Sequence, residues 1–543
     1  MLSERTGLAL RPNANGCRDD GVVPCGEIGA VVTELMVGEK GAVAREKARG
    51  LREAAARAWA PDGSSRKAFE AAAPSPGKPA THVVLLASPG AGHVVPVAEL
   101  ARRIVSQGSG GLTVTLVTHT NFASAERSST LASLPPSVST AVLPEVPLDD
   151  LPADARAETR IFTVVKRALP HLRSLLESPP GVAAFVSDLL SPWALEVARE
   201  LGVPGYVFCT SNLMALSTML HNPELDRTTT CEFRDIPEPI RLPGCVALRG
   251  SELLDSVQNR TDPAYSLTVE LGEKYLLADG FLVNTFDALE HETISAFNKL
   301  SDEGVYAPAY AVGPFVRTCS GSEVSEHSYL KWLDEQPDSS VLYVCFGSGG
   351  TLSTEQTAEL AAGLEASGQR FLWVVRFPSD TDCNANFFGG GGDGGSPISY
   401  LPEGFVERTR GRGLAVPLWA PQVEILNHRA VGGFVSHCGW NSTLETVAAG
   451  VPTLAWPLYA EQRMNAVMLS ERVGLSLRPM ANDGVVRRDE VAAVVTELMV
   501  GEKGAEARKK GRELREAAAK AWAPDGPSRK AFEAVVGKWK MHG

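Results

Sequence analysis

The stretch WAPQVEILNHRAVGGFVSHCGWNSTLETVAAGVPTLAWPLYAEQ occupies residues 419–462. Inside it, GGFVSHC (432–438) reads as a buried strand and CGW as a tight glycine turn. Ser442–Ala449 has helical spacing, and TLAWPL (453–458) returns as a second strand. Strand, glycine turn, helix and strand in that order make one βαβ unit of a parallel sheet. The turn also matters chemically. Free backbone N–H groups and the helix dipole at such a start attract anions, and Ser442 lies in a capping context.

The same alternation extends upstream. SVLYVCFGS (340–348), FLWVVR (371–376) and GLAVPLW (413–419) are apolar strand runs, with a helix predicted at Thr354–Gly368. An earlier series begins with THVVLLASPGAGH, followed by a helical stretch at Val94–Ser106. It continues through LTVTLVTH (112–119), VAAFVSDL (182–189), GYVFCT (205–210) and GFLVNTF (280–286). These runs are continuously apolar, as strands of a parallel sheet covered on both faces should be. Two doubly wound α/β halves are expected, with a boundary near residues 315–330, where the chain turns polar (TCSGSEVSEHS). The glycine run FFGGGGDGGSP (387–397) lacks the spacing and strand-to-helix setting of a phosphate loop, so a mobile surface loop is expected there.

Residues 419–462 closely resemble the signature box of plant family 1 UDP-glycosyltransferases, and the resemblance runs from about Pro79 to the C-terminus. It implies a GT-B fold: two Rossmann-like domains facing a cleft, with a C-terminal helix crossing back to the first. The domains would be 79–325 (acceptor), 326–525 (UDP-sugar) and 526–543 (crossover helix). It also implies a donor site. Trp419 would stack on uracil, Ala420 and Gln422 would hold the base edge, and Glu445 would bind the ribose as a two-oxygen acceptor. His437, Asn441 and Ser442 would contact the phosphates, as would Ser348 from FGSGGT. Trp440, Glu461 and Gln462 would face the hexose, and Gln462 is similar to glucose-preferring members.

Transfer also needs a base for the acceptor hydroxyl. His93 lies at the first βα turn, and Asp188 ends a strand on the same sheet edge, where ligands of open α/β sheets bind. An imidazole held by a carboxylate suits a phenol or alcohol proton. By spacing alone, a helix-capping histidine and a turn aspartate remain equally open. Both positions match the family's catalytic pair, which implies inverting displacement of UDP without a metal or other cofactor. LLSPWA, TSNLMALSTMLHNPELD, CEFRDIPEPIRLPGCV and WPLYAEQRMNAVMLSE resemble the hydroquinone glucosyltransferase group. Small phenols are the acceptors that this implies, with flavonoids as an alternative. Leu190, Trp193, Met214 and Met219 are pocket candidates, with ordinary core packing the competing reading.

The remaining features bound this picture. The chain has 543 residues and a formal net charge of -12, so a nucleic-acid surface is not expected. Nine cysteines are scattered singly, as in a reducing compartment. The start MLSERTGLALRPN is too charged for a signal peptide, and no apolar run reaches the ~20 residues of a membrane span. A cytosolic monomer is expected. A protein that only binds UDP-sugar is the competing class, and an interaction protein that recruits a partner through its N-terminal segment is a third.

That N-terminal segment is a copy. Residues 27–72 differ from residues 490–535 at 9 of 46 positions, and MLSER recurs at 1–5 and 468–472. Two copies so far apart are not a solenoid. Residues 1–78 are expected to be a displaced tail joined to a complete second protein by gene fusion or a faulty gene boundary. They would be loosely packed and carry no part of the 419–462 box.

Overall fold

The computed structural model describes residues 81–542 apart from 108–110, 153, 179–180, 317–327 and 385–394, with scattered positions between 33 and 50. The expectations for packing of the 27–72 copy and for the glycine run at 387–397 lie largely outside these residues. The chain divides into two compact units, residues 1–79 and 80–543. Everything below concerns the second.

Two parallel sheets make up this unit. The first contains β1 (Thr81–Leu86), β2 (Leu112–His119), β3 (Val138–Leu143), β4 (Val182–Asp188), β5 (Gly205–Cys209), β6 (Gly280–Val283) and β7 (Ala309–Ala311), in the order β3-β2-β1-β4-β5-β6-β7. The second contains β8 (Val341–Cys345), β9 (Arg370–Val375), β10 (Gly413–Pro417), β11 (Val431–Ser436), β12 (Thr453–Ala455) and β13 (Ser476–Leu477), in the order β10-β9-β8-β11-β12-β13. The strand order reverses between β1 and β4 in one sheet and between β8 and β11 in the other. A crevice opens at each such switch point, on the carboxyl edge of the strands.

The sequence explains why these elements form. Each central strand is buried on both faces: Val84 and Leu86 pack into one apolar layer, and Val83 and Leu85 into the opposite one. Helices carry local start and stop signals. Asn212 accepts a bond from Ala215 N–H at 2.7 Å and caps the helix Leu213–Thr228. Ser353 does the same for Thr354–Ser367, which ends at Gly368 in the left-handed region, where a side chain would be strained. The helix at the key turn, Trp440–Ala449, has Gly439 as its N-cap without a side-chain bond. Ser442 is therefore not a cap. It lies inside the first turn, and its hydroxyl accepts from Gln422 instead.

Two features join the sheets. One apolar cluster contains first-half residues such as Leu213 and Phe286 together with Trp440, Leu444, Met464 and Val467. The final helix, Pro527–His542, crosses back: Phe532, Val535, Val536 and Trp539 are buried in the layer beneath β1, β2 and β4. Trp539 is fully buried, edge-on to Tyr206 at 5.6 Å between ring centres. Among the described residues no helix is long and apolar enough to cross a membrane.

Candidate active site

The two switch points face each other, and each carries half of the site. In the first, His93 sits in the opening turn of the helix Ala91–Gln107 that follows β1, and Asp188 is the last residue of β4. Nδ1 of His93 lies 2.9 Å from Oδ2 of Asp188, with the imidazole 18% exposed and the carboxylate fully buried. Thr210, just past β5, brings its hydroxyl to 3.4 Å from the same nitrogen. Burial opposes a charge on His93, but Asp188, its hydrogen bond and Glu461 outweigh it, so the imidazole pKa lies above its ordinary value. Burial also pushes Asp188 upward. There the attraction and hydrogen bond of His93 win, helped by Ser88 and the Leu190 N–H, and its pKa is lowered. With Nδ1 turned to the carboxylate, Nε2 is left to take a proton.

In the second sheet, Ser348 follows β8 and is exposed, and His437 follows β11 with 7% exposure. Burial, aided by Arg376, lowers the pKa of His437 to about 4. At neutral pH this ring is uncharged, so it can hydrogen-bond a phosphate but supplies no positive charge. Gly347 and Gly439 enclose it, and a Cβ on Gly347 would stand 2.5 Å from Nε2. Gly347 has φ +79°, a left-handed conformation that adds strain to any side chain. Gly347→Ala is therefore expected to weaken UDP binding about tenfold or more, which is about 1.4 kcal/mol. Calorimetric titration with UDP checks this.

The helix Gln422–Leu426 sets Gln422 over the same turn. Its Nε2 donates to Ser442 Oγ at 2.9 Å and to Glu445 Oε2 at 2.7 Å, which collects three of the expected donor residues into one polar network. Trp419 is 58% exposed beside it and Ala420 is buried. Such a broad exposed ring is suited to stacking on a flat base.

Several expected residues do something different from what the sequence implied. The Trp440 indole is 3% exposed and donates to the Asn284 carbonyl at 2.7 Å, so its ring seals the junction between the sheets and only its backbone remains for a sugar. Asn441 Nδ2 donates to the Gly92 carbonyl at 2.9 Å, tying the donor half to the residue before His93. The Gln462 carbonyl oxygen accepts from Leu458 and Tyr459 N–H, which orients its amide nitrogen. Glu461 accepts from Ser211 Oγ at 3.1 Å and acts on His93 through its charge, so it stands where the two halves meet.

Among the four acceptor candidates, Leu190 adjoins the site, its N–H 3.3 Å from Asp188 Oδ2. Trp193, Met214 and Met219 do not form an open wall. Trp193 donates to Glu270 at 2.7 Å and packs on Phe162, and Met214 and Met219 lie in the same core cluster at 1% and 3% exposure. Their apolar bulk fills the space between helices, so core packing replaces the pocket assignment. Sequence reasoning missed Ser88, Thr210, Ser211 and Arg376. All four lie within two residues of a strand end, and the carboxyl-edge rule applied to every strand would have found them. It also missed Asn212, whose amide donates to Asn465 across the junction at 2.6 Å.

Comparison with known proteins agrees with this geometry. A family described as "UDP-glucoronosyl and UDP-glucosyl transferase" matches residues 315–497. The chain is 45% identical over 463 residues to hydroquinone glucosyltransferase of Rauvolfia serpentina, covering 84% of this chain and 98% of that one. It is 47% identical over 470 residues to UDP-glycosyltransferase 72B1 of Arabidopsis thaliana, with 85% and 96% coverage. Among solved structures it resembles a UDP-glucosyltransferase from Polygonum tinctorium capable of glucosylating indoxyl, in complex with 3,4-dichloroaniline. The TM-score is 0.78 and the identity 44%, covering 86% of this chain and 99% of that one.

Proposed function

Since this chain belongs to the family of UDP-glucuronosyl and UDP-glucosyl transferases, we propose that it is an inverting O-glucosyltransferase that moves glucose from UDP-glucose to small phenols. The observation that carries this reading is the His93–Asp188 pair at 2.9 Å, set opposite the Ser348–His437 turn and linked to it by the Asn441–Gly92 bond. A protein that only bound UDP-sugar would have no use for an imidazole whose basicity is raised by a buried carboxylate.

The reaction follows from the placement. Nε2 of His93 takes the acceptor O–H proton as the oxygen attacks the anomeric carbon. The new C–O bond forms on one face while the bond to UDP breaks on the other, and UDP leaves with the electron pair. Asp188 orients the ring and stabilises the imidazolium. Gln422, Ser442 and Glu445 hold the nucleoside end, with Trp419 on the uracil. The Ser348 hydroxyl and neutral His437 hydrogen-bond the diphosphate, and Glu461 with the Gln462 amide meets the glucose. The hydroquinone and indoxyl activities of the relatives support a small hydroxylated aromatic as the acceptor.

The test is incubation with UDP-glucose and a phenol panel including hydroquinone and a flavonoid, with products read by mass spectrometry and proton NMR. A monoglucoside of hydroquinone with β configuration is expected, at a rate that EDTA leaves unchanged. An α product would overturn inversion. UDP binding without transfer to any phenol would reduce the reading to a UDP-sugar-binding protein.

A further inference from the structure

The carboxyl edge of the second sheet lines up the expected nucleotide contacts in strand order. Trp419 follows β10, Ser348 follows β8 and His437 follows β11, and between the first two lies Arg376, the residue after β9. The register places it closely. Pro417 pairs with Val375, Val344 pairs with Trp373, and the Leu418 N–H donates to the Val375 carbonyl at 2.8 Å. Arg376 thus stands between Leu418–Trp419 on one side and Phe346–Gly347 on the other.

Alternation decides its face. Leu372 and Val374 pack in the layer with Tyr343, Cys345, Ala420, Ile425 and Leu426. Arg376 is next in that alternation, on the side carrying the helix Gln422–Leu426. Its Nε is buried without a hydrogen-bond partner, and among the described residues no carboxylate pairs with its guanidinium. Arg376 as a whole is half-buried, so its guanidinium keeps an open side on which an anion can complete its hydrogen bonds. Its field reaches His437, Cys345, Tyr343 and Tyr459, residues on both sides of the Gly347 turn.

The chemistry at this place calls for such a cation. As the bond to the sugar breaks, negative charge accumulates on the diphosphate, and positive charge beside it lowers the barrier. In the free protein burial and Arg376 hold His437 neutral, so Arg376 is the cation already in place there. We infer that Arg376 is a donor-binding residue whose guanidinium lies on the diphosphate of the UDP-sugar and offsets the charge that develops on leaving UDP. This rests on the nucleotide-sugar reading above and adds to it the source of positive charge.

The experiment separates phosphate from base. UDP binding to the full chain is measured by calorimetry and uridine binding by ligand-observed NMR, for wild type, Arg376→Ala and Arg376→Lys. For Arg376→Ala, UDP affinity is expected to fall about 10- to 100-fold, as loss of a charge-assisted contact implies, with uridine affinity within about twofold of wild type. Arg376→Lys should recover most of the UDP affinity. In turnover, Arg376→Ala should lower kcat as well as raise the KM for UDP-glucose. Unchanged UDP affinity would overturn the inference, and so would equal weakening of UDP and uridine, which is what a merely structural arginine produces. Wild-type protein that binds neither would instead remove the nucleotide-sugar reading and the inference with it.

Discussion

Replacing His93 by alanine lowers kcat/KM for a phenol at least about 10³-fold, while UDP affinity stays within about threefold, because only proton transfer is lost. The site geometry makes this expectation specific. Nδ1 is committed to Asp188 at 2.9 Å, so the ring has one nitrogen left for the acceptor proton. Retention of more than a few per cent of wild-type turnover would defeat the assignment. The pH profile gives a second reading of the same pair. The base must be neutral to work, and Asp188 raises its pKa above the ordinary 6.5. The acid limb of kcat/KM should therefore lie above 6.5 in the wild type and move to lower pH in Asp188→Asn. That variant should also lose about 10²- to 10³-fold in rate, since asparagine neither stabilises the imidazolium nor fixes its tautomer.

Stability follows the same pair with opposite signs for the two partners. The raised imidazole pKa contributes stability fully present below 6.5 and lost as pH rises through the folded value. The lowered carboxyl pKa contributes stability present above 3.8 and lost as pH falls through the folded value. Their joint contribution is therefore largest between 3.8 and 6.5. That window lies on the acid side of the range where catalysis runs.

The second large effect is expected at Trp539. This ring is fully buried against Tyr206, Val535 and the layer under β1, so Trp539→Ala should cost about 3–5 kcal/mol. With roughly 2 cal/mol/K of unfolding entropy per residue, Tm should fall by roughly 3–5 °C if the whole unit unfolds together and by roughly 6–10 °C if only its first half does. The N-terminal copy offers no replacement, because the position matching Trp539 there is Pro76. The loss should be equal in the full chain and in a chain without residues 1–78, as followed by calorimetric unfolding. A smaller loss in the full chain would show that the copy takes the vacated seat.

Ten of the thirteen strands among the described residues stand out as apolar runs because both faces are covered, and the matching boundaries fall within a few residues. The three missed strands fail for physical reasons. β3, VSTAVL, is an edge strand whose burial alternates, with Ser139 and Thr140 interrupting the apolar run. β7 and β13 have three and two residues, too few to show any period.

For the box 419–462, residue order alone determined which strand edge would carry the donor contacts, since a parallel strand places the residue after it on the carboxyl edge whatever its partners are. Sequence could not decide which way each side chain then turns. Trp440 looked like a sugar contact, yet its indole closes the junction on Asn284, because the neighbouring sheet brings a carbonyl within reach. His437 looked like a phosphate contact, but that burial beside Arg376 keeps its ring neutral was not legible. Trp193 and the two methionines looked like pocket walls, yet helix packing covers them. The strand ends and the residue types at them were local properties. Burial, charge state and reach depend on what the other half of the chain brings alongside, and only the tertiary structure supplies that.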